Sequence, residues 1–279
     1  MPYLLPLTSW VPIKTWQHFL ASPERIYAYG HQAFGRYIER FGRDSKRNDL
    51  LKNVIRGDVT VAPLDDEAIC SELRSLIIGG TDTTSTTLTY MVWELAMHPQ
   101  WQTRLREELQ LHNVKFHFGV PDYEGIEGLE ILSAIVSEGL RLHPAAPGSL
   151  PRVVPPQGAR ITGMFVPGGT IISMQSYTTH HNATASPDPD TFDPSRWLTV
   201  PGGTVTMKEA YMPFSKGSRG CMGIHLATMT LKLVVSALVH RWDIHVGEKT
   251  TEDTMSMTDH FVLMPKGGFC ELVFKEVRR

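Results

Sequence analysis

Apolar positions recur at helical spacing through most of the first half of the chain. Ile26, Tyr27, Phe34, Tyr37, Ile38 and Phe41 predict a helix over residues 22–41. A second, shorter helix is expected over Asp49–Ile55. Asp65-Asp66-Glu67 then places acidic side chains where a helix N-terminus favours them. The helix that follows is expected to run to about Met97. Leu73, Leu76, Ile77, Gly80, Thr84, Leu88, Met91 and Leu95 fall on one stripe of it. His98-Pro99 ends that helix, and Trp101–Leu111 begins another. A further helix over Leu129–Leu142 is stopped by His143-Pro144.

Residues 150–200 change character. Pro and Gly become frequent, and short β-like runs such as Thr170–Met174 sit between turns. Leu226–Val239 is apolar nearly all round, which predicts a buried helix. Phe261–Phe274 reads as a hairpin around Pro265-Lys266-Gly267-Gly268. The fold class is mainly α with a minor β part.

The chain has 279 residues, 42% of them hydrophobic, enough to bury a sizeable core. A formal net charge of -2 gives no electrostatic footprint for nucleic acid. Cys70, Cys221 and Cys270 are far apart, so a zinc site on paired cysteines and a disulfide scaffold are both disfavoured. No run approaches the ~18 apolar residues of a membrane-spanning helix. The first residues lack the basic flank and long apolar region of a signal peptide, so no anchor is expected in this chain. His180-His181 and His225 have no metal-ligand spacing, and loop or helix-surface roles are expected for them.

The strongest chemical signal is Phe214-Ser215-Lys216-Gly217-Ser218-Arg219-Gly220-Cys221-Met222-Gly223, a cysteine in a Gly-rich loop just before an apolar helix. Backbone N–H groups at a helix start favour a thiolate that can ligate a metal. Gly217, Gly220 and Gly223 let the backbone approach a flat ligand without Cβ clashes. The other possibility is that Cys221 is a small buried hydrophobe. The segment resembles the haem-binding loop of the cytochrome P-450 family, F-x-x-G-x-R-x-C-x-G. Phe214, Gly217, Arg219, Cys221 and Gly223 stand at its fixed positions.

Two further segments carry the resemblance, in family order. Glu138-Gly139-Leu140-Arg141 is similar to the family's E-x-x-R and, like it, is followed by Leu142-His143-Pro144. Glu276-Val277-Arg278-Arg279 matches the bare pattern too, so position rather than pattern singles out the first copy. The resemblance implies that Glu138 and Arg141 form a buried ion network with Arg196, supporting the haem loop. Gly79-Gly80-Thr81-Asp82-Thr83-Thr84 sets poor helix formers inside a helical stripe, a conflict that tends to mark function. Threonine hydroxyls bonded back to helix carbonyls can bend a helix and open a groove. This segment resembles the family's oxygen-activation motif, which implies proton delivery by Asp82 and Thr83; a Thr-rich core helix is the bland alternative.

Taken over the chain, the resemblance implies a cytochrome P-450 fold lacking its N-terminal half. It would be a single partial domain, 1–279, with 1–60 the remnant of the region before the long helix and 61–279 the haem-binding half. It implies a haem whose iron is bound by Cys221, with the thiolate favouring O–O cleavage. Arg219 and Arg152 would contact the haem propionates, since a guanidinium fork suits carboxylates; for Arg152 a plain surface role is equally open. The implied reaction inserts one atom of O2 into a lipophilic small molecule, in the style of fungal secondary metabolism. Electrons would come from an NADPH-dependent reductase. Ile78, Ala146 and Met255 are the candidate substrate-pocket residues. The implied location is the cytosolic face of the endoplasmic reticulum, with peripheral membrane contact through residues 3–11. A truncated, non-catalytic remnant and a haem-thiolate isomerase or dehydratase are the alternatives. Departures from the family pattern are Thr230, where Glu is common, and His181, where Arg is common.

Overall fold

The computed structural model describes residues 22–57, 64–200 and 202–277. The chain divides into two compact units, 1–81 and 82–279, and the boundary falls inside its longest helix. The expectation of membrane contact through residues 3–11 lies outside the described residues.

In the first unit, α1 (Ser22–Phe41), α2 (Leu50–Arg56) and the first half of α3 (Asp66–Met97) enclose a small core. Phe34, Ile55, Ile69 and Cys70 fill it. Asp49 caps α2 by accepting the Lys52 N–H at 2.9 Å, and it also accepts the Tyr37 hydroxyl at 3.1 Å. Asp65 caps α3 through the Ala68 N–H at 2.8 Å. Gly30 allows α1 to approach α3 closely, because a Cβ there would lie 3.0 Å from the Cys70 carbonyl oxygen.

The second unit is built on the second half of α3, α4 (Pro99–Leu111), α6 (Glu130–Leu142) and α10 (Ile224–Arg241). A short helix, α5 (Tyr123–Ile126), and the strands β1 (Phe116–His117) and β2 (Val120–Pro121) lie between α4 and α6. The core runs through Met91, Leu95, Leu105, Leu132, Ile135, Leu231, Val235 and Val239. Two buried side chains complete helix ends and strand edges. The Glu108 carboxylate accepts the Ile131 and Leu132 N–H groups at the start of α6. The Gln102 amide donates to the Leu95 and Ile244 carbonyls and accepts the Ile244 N–H.

Among the described residues, the β part consists of five two-stranded antiparallel ribbons. After β1–β2 come β3 (Arg152–Val153) with β6 (Ile171–Ile172), β4 (Ala159–Ile161) with β5 (Met164–Val166), β7 (Trp242–Val246) with β10 (Leu272–Glu276), and β8 (Met257–His260) with β9 (Val262–Pro265). Short helices α7 (Ser176–His180), α8 (Ser195–Thr199), α9 (Val205–Ala210) and α11 (Glu252–Met255) are the remaining α-helices among the described residues.

Three expectations are corrected here. Phe261–Phe274 is not one hairpin. The turn at Pro265–Gly268 forms, with the Gly268 N–H bonded to the Pro265 carbonyl at 2.8 Å, but its flanks pair elsewhere. β9 folds back on β8 around Phe261, and β10 joins β7, a longer strand that offers five residue pairs. Second, α10 is not buried all round. Leu231, Val235 and Val239 face the core, while Leu226 at its start is 56% exposed. Third, the apolar stripe of α3 is not continuous: no residue between Cys70 and Thr87 is buried.

Gly139 sets the spacing of α3 and α6. A Cβ at this position would lie 2.8 Å from the Met91 methyl and 3.2 Å from its Cγ. Gly139→Val should therefore destabilise the chain by about 1–3 kcal/mol through overpacking. In chemical denaturation, Met91→Ala should recover part of that loss only in the Gly139→Val background, because the two side chains compete for one space.

Candidate haem-thiolate site

Cys221 lies in the exposed loop between α9 and α10 and is in no disulfide. Its backbone N–H bonds to the Phe214 carbonyl at 2.9 Å, closing the loop at its base. Inside it, Gly217–Arg219 makes one 3₁₀ turn and the Gly220 N–H bonds to the Gly217 carbonyl at 3.0 Å. Gly217 has φ +76°, a conformation that L side chains rarely adopt. A Cβ at Gly223 would stand 3.7 Å from the Cys221 sulfur, so glycine there keeps space beside the thiol clear. Lys216 fastens the loop to α9 by donating to the Lys208 and Glu209 carbonyls at 2.9 and 2.7 Å. Phe214 packs against the main core, while Arg219 is exposed. The loop is thus anchored at its base and open at its tip.

The donor set at this place is one sulfur. A metal bound here must bring its other ligands with it, as the iron of a haem does. Open space over Gly217 and the exposed apolar side chains of Met222 and Leu226 also suit a flat, largely apolar group. The residues present therefore fit a haem.

Behind the loop lies a buried polar network around Glu138, which is fully buried. Its carboxylate accepts five donors. Arg141 gives two, Nε at 2.8 Å and a terminal nitrogen at 2.9 Å. Arg196 Nε and Trp197 Nε1 each donate at 2.9 Å, and the Asp193 N–H at 3.0 Å. Arg141 in turn donates to the carbonyls of His180, Pro189 and Thr191, and Arg196 to that of Pro187 at 2.8 Å. Glu138, Arg141 and Arg196 are therefore brought together, as the family resemblance implied. Trp197 and the Asp193 backbone join them, with no spacing pattern to announce it.

α3 stays helical through Gly79–Thr84. Its hydroxyls bond back within the helix: Thr81 to the Ile77 carbonyl at 2.7 Å and Thr87 to that of Thr83 at 2.8 Å. Asp82 is exposed and Thr83 half-buried. Arg152, on β3, is exposed and donates to the Pro151 carbonyl. Ile78 is exposed. Ala146 lines a shallow hollow of about 280 Å³ with Gly148, Ser149, Leu150, Asp259 and Phe261. Met255, expected in a substrate pocket, is instead packed in the core against Tyr90 and Leu263 and is only 1% exposed.

Two buried histidines carry roles that sequence reasoning missed. His143 bonds through Nε2 to Glu94 at 2.7 Å and stacks on Tyr90. The two histidines beside it, His98 and His143, hold the Glu94 carboxyl below the usual range, against the opposing effect of its burial. His180 bonds through Nδ1 to the Arg141 carbonyl and through Nε2 to the Met212 N–H. Burial, and then the Arg141 charge, push its pKa down to about 4.

The cytochrome P450 family model matches residues 1–272. Three curated relatives align over most of the chain. The cytochrome P450 monooxygenase hkm5 of Aspergillus hancockii is 34% identical over 95% of this chain and 52% of its own length. The monooxygenase tazI of Aspergillus terreus is 32% identical over 96% and 55%. The monooxygenase aflV of Aspergillus parasiticus is 33% identical over 84% and 46%. The chain belongs to the cytochrome P450 family. That family binds haem iron through a cysteine thiolate. The chain spans about half the length of the curated relatives it matches. Among the described residues no helix is long and apolar enough to cross a membrane.

Two outcomes are expected. Glu138→Gln leaves two guanidinium groups without their counter-charge and should cost about 3–5 kcal/mol in denaturant unfolding. His180 is neutral when folded and has an ordinary value near 6.5 when unfolded. Its contribution is thus fully present above about pH 6.5 and is lost as pH falls toward 4, by about 3 kcal/mol. Denaturation midpoints measured across that window should fall less steeply in His180→Gln than in the parent.

Proposed function

We propose that this chain is the haem-carrying half of a fungal monooxygenase, one that inserts a single atom of O2 into a lipophilic small molecule of secondary metabolism. The observation that carries the reading is Cys221: an open thiol, on a loop closed at its base, directly before an 18-residue helix. A haem held there supplies oxygen activation, with the thiolate favouring O–O cleavage. The protein's part is to hold and orient. Cys221 would be the iron ligand, and Gly217, Gly223 and Phe214 would shape the loop that presents it. Arg219 and Arg152 would pair with the haem carboxylates, for which their planar forks are suited. Glu138, Arg141 and Arg196 would brace the loop from behind.

Asp82 and Thr83 would deliver protons from the face of α3 that carries them. That face exposes a carboxylate to solvent beside a hydroxyl, as a proton relay requires. A haem-thiolate isomerase or dehydratase would need neither group, so their presence favours oxygen insertion. Ala146 would contact the substrate; its small apolar side chain suits a lipophilic one. An NADPH-dependent reductase would supply electrons, at the cytosolic face of the endoplasmic reticulum.

The test is a reduced carbon-monoxide difference spectrum of the chain supplied with haem. Cys221→Ala should abolish the thiolate-type band. Thr83→Ala should keep the band and the haem while oxygen consumption rises relative to product formed. A thiolate-type band persisting in Cys221→Ala would sink the ligand assignment.

A further inference from the structure

We infer that His180 is a positioning residue for the Cys221 loop, a neutral imidazole that ties the segment leading into the loop to the backbone of Arg141. The inference deepens the reading of Cys221 as haem ligand and rests on it for its functional meaning, though not for its geometry. The ring is 1% exposed and bridges two backbone groups. Nδ1 lies 3.0 Å from the Arg141 carbonyl oxygen, and Nε2 lies 2.8 Å from the Met212 nitrogen. A carbonyl can only accept and a backbone N–H can only donate. The tautomer follows: Nδ1 carries the proton and Nε2 is bare. No other form satisfies both partners, and a protonated ring would set an N–H against the Met212 N–H.

What makes this bridge more than packing is where Met212 leads. Its N–H is held by His180, and its carbonyl accepts the Ser215 N–H at 3.0 Å. Two residues on, the Phe214 carbonyl accepts the Cys221 N–H. Met212 is thus fixed on both sides immediately before the loop closes. A second, apolar route reaches the same segment. Glu138 accepts from Trp197, whose ring meets Tyr211 edge-on at 5.0 Å, and Tyr211 in turn faces His180 at 5.6 Å. Both routes start from the buried carboxylate and end at residues 211–212. Of the two, only the His180 route fixes a backbone donor by a directional bond.

The neighbouring His181 bonds back to the Tyr177 carbonyl of its own helix, so the bridge belongs to His180 and not to the pair.

The experiment is residue-resolved amide hydrogen exchange on the whole chain, with and without haem. His180→Phe keeps ring volume and the Tyr211 contact but removes both hydrogen bonds. Exchange at Met212, Ser215 and Cys221 should rise about tenfold, the worth of one net hydrogen bond. Exchange in the α10 interior, at Leu231–Val239, should be unchanged. His180→Gln, whose amide oxygen can reach the Met212 N–H, should restore protection. With haem supplied, the thiolate-type carbonyl band should weaken in His180→Phe and return in His180→Gln. Unchanged exchange at 212–221, or an equal rise throughout the chain, overturns the inference. Should His180→Phe fail to fold, His180→Asn decides instead. It retains a donor for Arg141 but falls short of Met212, so it must exchange faster there than His180→Gln; equal rates overturn the inference. Loss of the haem reading through Cys221→Ala would leave the exchange results untouched, so the two failures are distinguishable.

Discussion

The structure of the second unit depends on one buried anion. Glu138 has no access to water, and its two oxygens take five donors from two segments of chain, its own helix and residues 193–197. A carboxylate in such a place is tolerable only because the guanidinium groups of Arg141 and Arg196 neutralise it with directional bonds. Those two cations exceed the single anion, and the excess is spread over backbone carbonyls between His180 and Thr191. Such a network is weak grounds for net stability, since burying its charges is itself costly. What it does specify is geometry. Residues 187–197 contain little regular secondary structure, and their carbonyls take up positions that a planar fork can reach.

The same anion explains how an open loop can hold a fixed shape. A cysteine meant to meet a ligand cannot be buried, so its loop gains little from the hydrophobic effect on its outer side. Order must come from the base and from behind. The Phe214–Cys221 bond, the Lys216 contacts with α9 and the Met212–His180 bond provide it. Each joins backbone to something already fixed, which restrains the chain without covering the sulfur. Gly217 and Gly223 do the complementary work of leaving the outer face bare.

Much of this was legible in the residues. Helix boundaries follow from period, caps and prolines, and those of α1, α3, α4 and α6 fall within a residue or two of expectation. The cysteine loop stood out by its residue types and their spacing, whereas the Glu138–Arg141–Arg196 association was implied only by the family resemblance and is present in the structure. What was not legible is pairing between distant segments. The Pro265–Gly268 turn is real, yet nothing in residues 261–274 says that β10 joins β7. Apolarity likewise does not say which neighbours exist: Leu226 is exposed where a buried helix was expected, and Met255 is core where a substrate-pocket position was expected. His180 and His181 are adjacent and chemically identical. Only the fold shows that one faces a carbonyl and an N–H while the other lies along its own helix.

A division of labour follows between groups that hold shape and groups free to bind. The charges at the centre of the network are buried and mutually satisfied, whereas Asp82, Arg152, Arg219 and Cys221 are all exposed. Near the loop, Met222 and Leu226 present apolar surface to solvent as well. Apolar area of this kind contributes nothing to the free chain but about 25 cal/mol per Å² once a ligand covers it. Binding a flat apolar cofactor would then stabilise the folded state in proportion to ligand occupancy, without disturbing the buried ions. The buried network can therefore hold the same geometry whether or not the loop is occupied. His180 joins the network to Met212 by a directional bond and the Phe214–Cys221 bond closes the loop two residues further on, so the position of Met212 couples the buried network to the Cys221 loop.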